Sequence, residues 1–282
     1  MARDNMNSAS DGPAKTGQAS NLMKRVLSAL VLIPVALGVI YLGGFAFVVA
    51  IIILALLMMY EWNSICMRDA VRGIFACQAI LIAAVSILIG TYDIYMAFMV
   101  MILGIVALAV ITLLLARRYI LWVICGPVYA LFFAASLIWV RQQPEIGLGA
   151  ICWLMATVWC TDTGAYFAGK TIGGPKLAPR ISPKKTWAGL IGGMACAAVA
   201  SYCVSAFFDY HPLWLLALAG ACMAVWGQIG DITESALKRR FNVKDSGALI
   251  PGHGGILDRV DAIVFVAPVV AAYLALRPIG DF

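Results

Sequence analysis

The chain has 282 residues, of which 63% are hydrophobic and only 12% charged, and its mean hydropathy is +0.95. This composition excludes an ordinary soluble domain and is typical of proteins that cross a membrane several times. The formal net charge of +6 comes from basic residues dispersed among connecting segments, so it does not indicate a nucleic-acid-binding surface.

The first 22 residues are polar and small, and they cannot bury enough apolar area to offset the entropy lost on ordering. We therefore predict a disordered tail at 1–22. An apolar run follows Lys24 and Arg25 and continues to Leu42 without a convincing small-residue cleavage site. We interpret this run as a retained first span rather than a signal peptide.

Apolar segments recur along the rest of the chain, and a membrane-spanning helix needs about 20 such residues. The candidate spans run near 26–42, 45–60, 74–89, 96–115, 119–140, 147–168, 188–208, 213–230 and 260–276. Several are short, which allows tilted or broken helices. The predicted fold class is therefore all-α, a polytopic integral membrane protein of about nine transmembrane helices.

The basic residues predict an orientation for these spans. If the N-terminus is cytoplasmic, all Lys and Arg residues except Arg141 and Arg277 fall in inner segments, which is a strong positive-inside pattern. The C-terminus is then outside. A basic inner face would attract anionic lipid headgroups or phosphorylated solutes. The outer connections are too short to hold a domain, so we expect the chemistry on the inner side.

The two halves differ in polarity, which divides the predicted domains into the tail, an N-terminal transmembrane scaffold at 23–145 and a C-terminal catalytic region at 146–282. In the scaffold, Glu61 and Trp62 end one span beside Arg68 and Arg72, and we interpret them as interfacial anchors with charge pairing. The eight cysteines show no C-x-x-C spacing, so we interpret them as packing residues rather than disulfides or metal ligands.

The first charged residue of the C-terminal region after Glu145 is Asp162, which lies inside an otherwise apolar span. Burying a lone carboxylate in hydrocarbon costs at least about 2.5 kcal/mol, so Asp162 needs a partner or a polar surrounding. Two interpretations stay open. Asp162 pairs with Lys170 near the interface, or it forms a polar wall of a cavity open to the cytoplasm.

A compact basic segment, Ser-Pro-Lys-Lys-Thr-Trp, occupies 182–187 just before a glycine-rich span. Pro183 can start a helix at its first turn, and the amides and hydroxyls after it can then face an anion at the positive helix end. The alternative is that Lys184 and Lys185 only anchor the inner face. The glycines of the following span are interpreted as allowing close helix packing: Gly189, Gly192 and Gly193.

Charged residues are concentrated between 227 and 261, and apolar segments adjoin both ends of this window. Ionisable groups at a membrane edge are candidates for function. Asp258 and Asp261 are spaced i,i+3 and share one face of a helix. Asp231 ends the preceding span and can approach them if the intervening loop folds back. Carboxylate oxygens favour Mg²⁺, which also binds substrate phosphates.

Basic residues lie between these carboxylates and can clamp phosphate oxygens. They are Lys238, Arg239, Arg240 and Lys244, with His253 in a glycine-rich stretch. Carboxylates combined with cationic side chains in this way indicate metal-assisted phosphoryl transfer. Two alternatives remain: the cations at 238–240 satisfy helix-end carbonyls, or His253 is only a turn residue.

The segment from Ser235 to Asp261 resembles the signature of the phosphatidate cytidylyltransferases, also called CDP-diacylglycerol synthases. Thr-Asp-Thr-Gly-Ala-Tyr-Phe-Ala-Gly at 161–169 and the basic segment at 182–187 are similar to that family's other polar blocks. The resemblance covers most of the chain after residue 23. The tail and the early spans match nothing beyond hydrophobicity.

The resemblance implies a nucleotidyltransferase of phospholipid biosynthesis that converts CTP and phosphatidate into CDP-diacylglycerol and pyrophosphate. A phosphatidate oxygen would attack the α-phosphorus of CTP in line. The implied setting is the bacterial inner membrane, with the active site facing the cytoplasm. The expected partners are CTP, phosphatidate and membrane lipids, with no nucleic acid; a homo-oligomer is left open.

The resemblance also implies roles for individual residues. The implied metal is Mg²⁺, held by Asp231, Asp258 and Asp261, with room for a second ion. The implied catalytic residues are Asp231, Asp258, Asp261, Lys244 and His253. The implied substrate-binding residues are Ser182, Lys184, Lys185, Asp162, Lys238, Arg239 and Arg259.

Two other functions compete with this interpretation. A cation-coupled transporter would use intramembrane carboxylates as ion sites, but it would show paired broken helices in matching halves. A CDP-alcohol phosphotransferase would use a related liponucleotide, but its D-G-x-x-A-R pattern is absent from the sequence.

Overall fold

The computed structural model describes residues 30–67, 72–247, 249 and 254–276. Several features singled out in the sequence lie outside these residues: the tail at 1–22, Lys24, Arg25, Arg68, His253 and Arg277.

Nine α-helices and one short hairpin make up the described residues. The helices are α1 (Leu30–Leu42), α2 (Gly44–Cys66), α3 (Arg72–Gly90), α4 (Ile94–Leu115), α5 (Ile120–Arg141), α6 (Gly147–Thr171), α7 (Trp187–Phe207), α8 (Leu213–Arg240) and α9 (Leu257–Leu276). A 3₁₀ turn at Arg117–Tyr119 precedes α5. The hairpin strands are β1 (Lys176–Ala178) and β2 (Ser182–Thr186).

Seven of the described helices are long and apolar enough to cross a membrane. The shorter helix α1 is not among the seven, and neither is α6, which is 25 residues long but contains Asp162 and several threonines. The predicted fold class is confirmed: the chain is an all-α, polytopic integral membrane protein. The count of nine spans and the orientation of the termini remain predictions.

The apolar core is centred on α5. Its side chains Phe133, Ala134 and Ile138 are buried, and α5 packs against α2, α3, α4 and α9. Helix α9 also packs against α8. It therefore joins the apolar N-terminal helices to the polar C-terminal ones.

Helices α6 and α7 pack closely because small residues line their contact. A Cβ on Gly192 would overlap the Cβ of Ala168, and one on Gly193 would lie 3.0 Å from the carbonyl oxygen of Thr161. Small residues let helix backbones approach in a membrane, where dispersion rather than water exclusion drives packing. The predicted packing role of these glycines is confirmed.

The hairpin corrects one expectation about the basic segment. Strand β2 pairs antiparallel with β1, so Lys176 faces Thr186. Helix α7 begins only at Trp187, where the Thr186 hydroxyl accepts a hydrogen bond from the Gly189 amide at 3.0 Å. The prediction that Pro183 starts the helix is wrong, because strand pairing keeps 182–186 extended and Thr186 supplies the N-cap.

Candidate active site

Asp231 meets the basic hairpin at one side of α8. Its carboxylate is half-buried and forms an ion pair with the Lys185 ammonium of β2. Lys185 belongs to a paired strand rather than an open loop, and its ion pair with Asp231 brings β2 to α8. Two residues that the sequence assigned to different roles, metal ligand and substrate contact, are therefore neighbours.

Lys238 joins α8 to α9. Its ammonium lies 2.6 Å from the Glu234 carboxylate one turn earlier on the same helix face, and it also pairs with Asp258 of α9. Glu234 is only 2% exposed. A partly buried ammonium thus balances two carboxylates, and only its pairing with Glu234 follows from local helical spacing.

Asp258 lies in the first turn of α9, where the positive end of the helix dipole favours a carboxylate. Besides the Lys238 contact, its Oδ2 accepts a hydrogen bond from the Ser246 amide at 3.2 Å. Asp258 therefore connects the end of α8, the following loop and the start of α9.

Asp261 lies one turn further along α9, and its Oδ1 accepts a hydrogen bond from the Ala262 amide at 2.8 Å. Three other carboxylates lie within electrostatic range of it: Asp231, Glu234 and Asp162. The approach of α8 to α9 depends on glycine, because a Cβ on Gly230 would come within 2.7 Å of the Asp261 carbonyl oxygen. The structure therefore brings the acidic residues of the two helices together, as the sequence predicted.

A small hollow between α6, α8 and α9 is lined by Asp162 and Asp231, with Thr161 and Gln228 as further polar groups. Asp162 interacts electrostatically with Asp231, Lys185 and Arg259. Lys170 instead lies over the ring of Tyr166, 5.7 Å from its centroid. These contacts favour the cavity-wall interpretation of Asp162 over pairing with Lys170.

The remaining predicted site residues lie around this cluster. Arg239 donates to the backbone carbonyls of Ile181 at 3.4 Å and Val243 at 3.3 Å, which connects the turn of the hairpin to the end of α8. Ser182 is half-buried in β2. Arg239 is exposed, and so are three other predicted site residues with basic side chains: Lys184, Lys244 and Arg259.

The donor chemistry of the cluster suits a hard divalent ion, although its geometry is not that of a preformed cage. Among the described residues, no group of three or more His, Cys, Asp or Glu side chains is arranged to hold a metal. Asp231 and Asp258 are each paired with a lysine. Mg²⁺ commonly takes only one or two carboxylates and completes its shell with water and substrate phosphates, so the carboxylates present fit that mode.

Three residues of the cluster were missed or misread in the sequence. Glu234 and Ser246 received no role, although Glu234 precedes Lys238 by one helical turn. The prediction that Glu61 is an interfacial anchor is wrong. Its side chain is 1% exposed and accepts hydrogen bonds from the loop before α9. A carboxylate at the end of an apolar run was the available signal, but its partners lie far along the chain.

An apolar cavity of about 260 Å³ lies between α6, α8 and α9. Its walls include Trp153, Leu216 and Val270. Met223 lines both this cavity and the acidic hollow. The polar cluster therefore adjoins an apolar space.

Comparison with known proteins matches residues 23–277 to the cytidylyltransferase family. The phosphatidate cytidylyltransferase of Brucella suis biovar 1 (strain 1330) is 38% identical over 267 residues, covering 91% of this chain and 94% of the relative. That of Brucella abortus biovar 1 (strain 9-941) has the same identity and coverage. The phosphatidate cytidylyltransferase of Staphylococcus haemolyticus (strain JCSC1435) is 48% identical over 123 residues, which is 43% of this chain and 47% of the relative.

Proposed function

The chain belongs to the cytidylyltransferase family, and from this premise we propose that it transfers CMP from CTP to phosphatidate, yielding CDP-diacylglycerol and pyrophosphate. The observation that carries the proposal is the cluster in which Lys185 pairs with Asp231 and Lys238 with Asp258. Cations and acids that converge beside an apolar cavity suit a reaction between a nucleotide and a lipid phosphate.

In the proposed reaction, an oxygen of the phosphatidate phosphate forms a bond to the α-phosphorus of CTP. The bond between the α-phosphorus and the bridging oxygen breaks, and pyrophosphate leaves with that electron pair. Such transfers need positioning and charge stabilisation rather than a covalent enzyme intermediate. The chain's task is therefore to hold two anionic substrates close together.

Lys185 and Lys238 are the cations best placed for this task. Each is partly buried, with side-chain exposures of 19% and 12%, so its charge is less screened than that of a surface lysine. When a lysine ammonium leaves its carboxylate and binds a phosphate oxygen instead, it still makes a charge-assisted hydrogen bond. Lys184, Arg239, Lys244 and Arg259 are exposed nearby and suit the attraction of CTP. His253 stays a proposed phosphate-binding residue.

We assign Mg²⁺ to the same cluster, with Asp231, Asp258 and Asp261 as the residues that would hold it, and we leave room for a second ion. When bound, the ion supplies positive charge to the phosphate oxygens. The carboxylates of α8 and α9 keep their relative positions because Gly227 and Gly230 allow the two helices to approach. Asp162, on α6, adds a further carboxylate to the wall of the acidic hollow.

The apolar cavity supports a lipid as the second substrate. Met223 precedes Asp231 on α8 by about 12 Å at 1.5 Å per residue. A lipid whose phosphate binds at the cluster of lysines and carboxylates can therefore extend apolar chains toward the cavity. In our proposal this arrangement faces the cytoplasm at the inner membrane, and the positive-inside distribution of basic residues supports the cytoplasmic side.

Detergent-purified protein supplied with CTP labelled in the α-phosphate, phosphatidate and Mg²⁺ tests this proposal. We expect label in CDP-diacylglycerol, one pyrophosphate released per product, and loss of turnover with EDTA. Absence of both products would overturn the proposed reaction, and EDTA-insensitive turnover would overturn the metal assignment. Release of CMP from a supplied liponucleotide would indicate a CDP-alcohol phosphotransferase. Solute uptake into vesicles without nucleotide turnover would indicate a transporter.

A further inference from the structure

Glu61 lies in the last two turns of α2, in the half of the chain that the sequence predicts to be scaffold. It nevertheless contacts residues that precede and begin α9. Its Oε1 accepts a hydrogen bond from the Ile256 amide at 3.0 Å. Its Oε2 accepts hydrogen bonds from the Leu257 amide at 2.8 Å and the Ser246 hydroxyl at 3.1 Å. One buried carboxylate thus binds residues on both sides of the loop.

The two amides belong to the start of α9, which begins at Leu257. The first amides of a helix have no partner within the helix, and a carboxylate there is stabilised by the helix dipole. Glu61 therefore acts as an N-terminal cap supplied by another helix. Asp258 is the next residue, so the cap holds the turn from which the Asp258 carboxylate projects.

Ser246 makes the second connection to Asp258. Its hydroxyl donates to Glu61, while its backbone amide donates to Oδ2 of Asp258 at 3.2 Å. Asp258 is therefore held from its own helix and from Ser246, and both supports contact Glu61.

Two glycines form the space that the Glu61 carboxylate occupies. A Cβ on Gly247 would lie 2.7 Å from Oε1, and a Cβ on Gly255 would lie 2.7 Å from Oε2. Any side chain at either position would displace the carboxylate or the loop. The close fit is independent of the hydrogen bonds and indicates that the loop is built around this side chain.

Burying a carboxylate is costly unless donors replace the lost water. An apolar side chain would fill the core at the end of α2 without that cost, so packing alone does not account for Glu61. The three donors and the helix end offset the cost only when the loop adopts this one arrangement. The charge therefore specifies the positions of Ser246 and of the start of α9, and with them that of Asp258.

We propose that Glu61 is a positioning residue of the active site, which fixes Asp258 by binding Ser246 and the first amides of α9. This inference rests on the proposed function for its kinetic consequence. The residue acts through Asp258 and does not touch the substrates. It also couples the N-terminal helices to the chemistry of the C-terminal ones.

The test compares Glu61→Gln with Glu145→Gln, the same change at an exposed carboxylate. An amide at position 61 replaces one acceptor oxygen with a donor that faces other donors. We expect kcat for CMP transfer to fall at least tenfold with little change in the KM for CTP, whereas Glu145→Gln keeps wild-type values. If the activity of Glu61→Gln falls only in proportion to the fraction of protein that is folded, the proposal is overturned.

A double-mutant cycle separates positioning from general stability. If Glu61 acts through Asp258, the Glu61→Gln/Asp258→Asn protein should be no slower than Asp258→Asn alone. Losses that multiply would contradict the inference. Should Glu61→Gln fail to fold, Ser246→Ala removes one donor and leaves the two amides, and the same cycle with Asp258→Asn applies.

Hydrogen exchange distinguishes failure of this inference from failure of the proposed function. In folded Glu61→Gln protein, we expect faster exchange of the Ser246, Ile256 and Leu257 amides than in wild type, with no change in the α6–α7 pair. This readout needs no substrate. Unchanged protection at these amides would refute the positioning role, while wild-type protein without CMP transfer would refute only the proposed reaction.

Discussion

Lys238 determines the charge balance at the junction of α8 and α9. Its ammonium contacts Glu234 and Asp258, and the side chains of all three residues are at most 16% exposed. Charges in such a setting are stable only as a paired set, because each one alone would carry an uncompensated desolvation cost. The charge pairs that stabilise this junction therefore include Lys238 and Asp258, which we also propose for the reaction.

Replacing Lys238 with Met should destabilise the fold strongly. The substitution keeps much of the side-chain volume but leaves two buried carboxylates without their cation, which typically costs about 3–5 kcal/mol. Thermal unfolding in detergent should show a lower midpoint for Lys238→Met, whereas Lys244→Met at an exposed position should match wild type. Adding Glu234→Gln to Lys238→Met should recover part of the loss, and equal midpoints for the two lysine variants would contradict the buried-triad interpretation.

Asp231→Asn should lower activity more than it lowers the stability of the fold, because the amide oxygen can still accept a hydrogen bond from Lys185. The change keeps the shape of the side chain but removes the charge that pairs with Lys185 and faces the hollow. We expect kcat/KM for CMP transfer to fall about a hundredfold, or about 2.7 kcal/mol, as for loss of a transition-state stabiliser. Asp245→Asn, on the exposed loop after α8, is the matched control. Turnover near wild type in Asp231→Asn would remove this carboxylate from the mechanism.

At the scale of elements, the α6–α7 pair positions the hairpin that carries Lys185. The hairpin connects these two helices, so their separation sets where β2 meets α8. Small side chains keep the separation short: Gly164 on α6 and Gly192 on α7 leave no room for a Cβ. Helix packing and active-site geometry are thereby linked.

Gly192→Ala should separate α6 from α7. The new Cβ would overlap that of Ala168, and overpacking of this kind typically costs about 1–3 kcal/mol. The unfolding midpoint should fall, and Ala168→Gly in the same protein should restore it by removing the opposing methyl group. Ile191→Ala is the control, since Ile191 lies on the same helix and is 64% exposed. A double variant no more stable than Gly192→Ala would refute the direct overlap.

At the scale of the whole molecule, the carboxylates and lysines collect at one end of the helices. The ends of α8 and α6, the hairpin and the start of α9 all contribute to the cluster. The connection between α7 and α8, which contains Asp209, lies at the opposite end of α8. A single bilayer can therefore separate the cluster from this connection, and the positive-inside pattern predicts which end faces the cytoplasm.

Single-cysteine labelling tests this orientation. In a chain whose eight native cysteines are replaced, Lys184→Cys should react with a membrane-impermeant maleimide only in inverted vesicles. Asp209→Cys should react only from the outer side, since both native side chains are exposed but at opposite ends of the helices. Reaction of both positions from one side would overturn the predicted topology.

Local sequence was sufficient to predict the helices and three acidic residues of the cluster, Asp231, Asp258 and Asp261, whereas the roles of Glu234 and Glu61 were missed. Hydropathy located the helices because each helix satisfies its own backbone, whatever it packs against. The spacing of Asp258 and Asp261 placed both on one helix because helical periodicity is a local property. The approach of Asp231 to them was also predictable, since polar groups at a membrane edge need polar surroundings.

Which side chains contact each other across the fold was decided only by the tertiary structure. The pairing of Lys185 with Asp231, and of Glu61 with Ser246 and the start of α9, joins residues far apart in the chain. No periodicity encodes such contacts, because they depend on how helices pack rather than on where each begins. The same reason explains the error at Pro183, where pairing of β2 with β1 outweighed a local preference for a helix start.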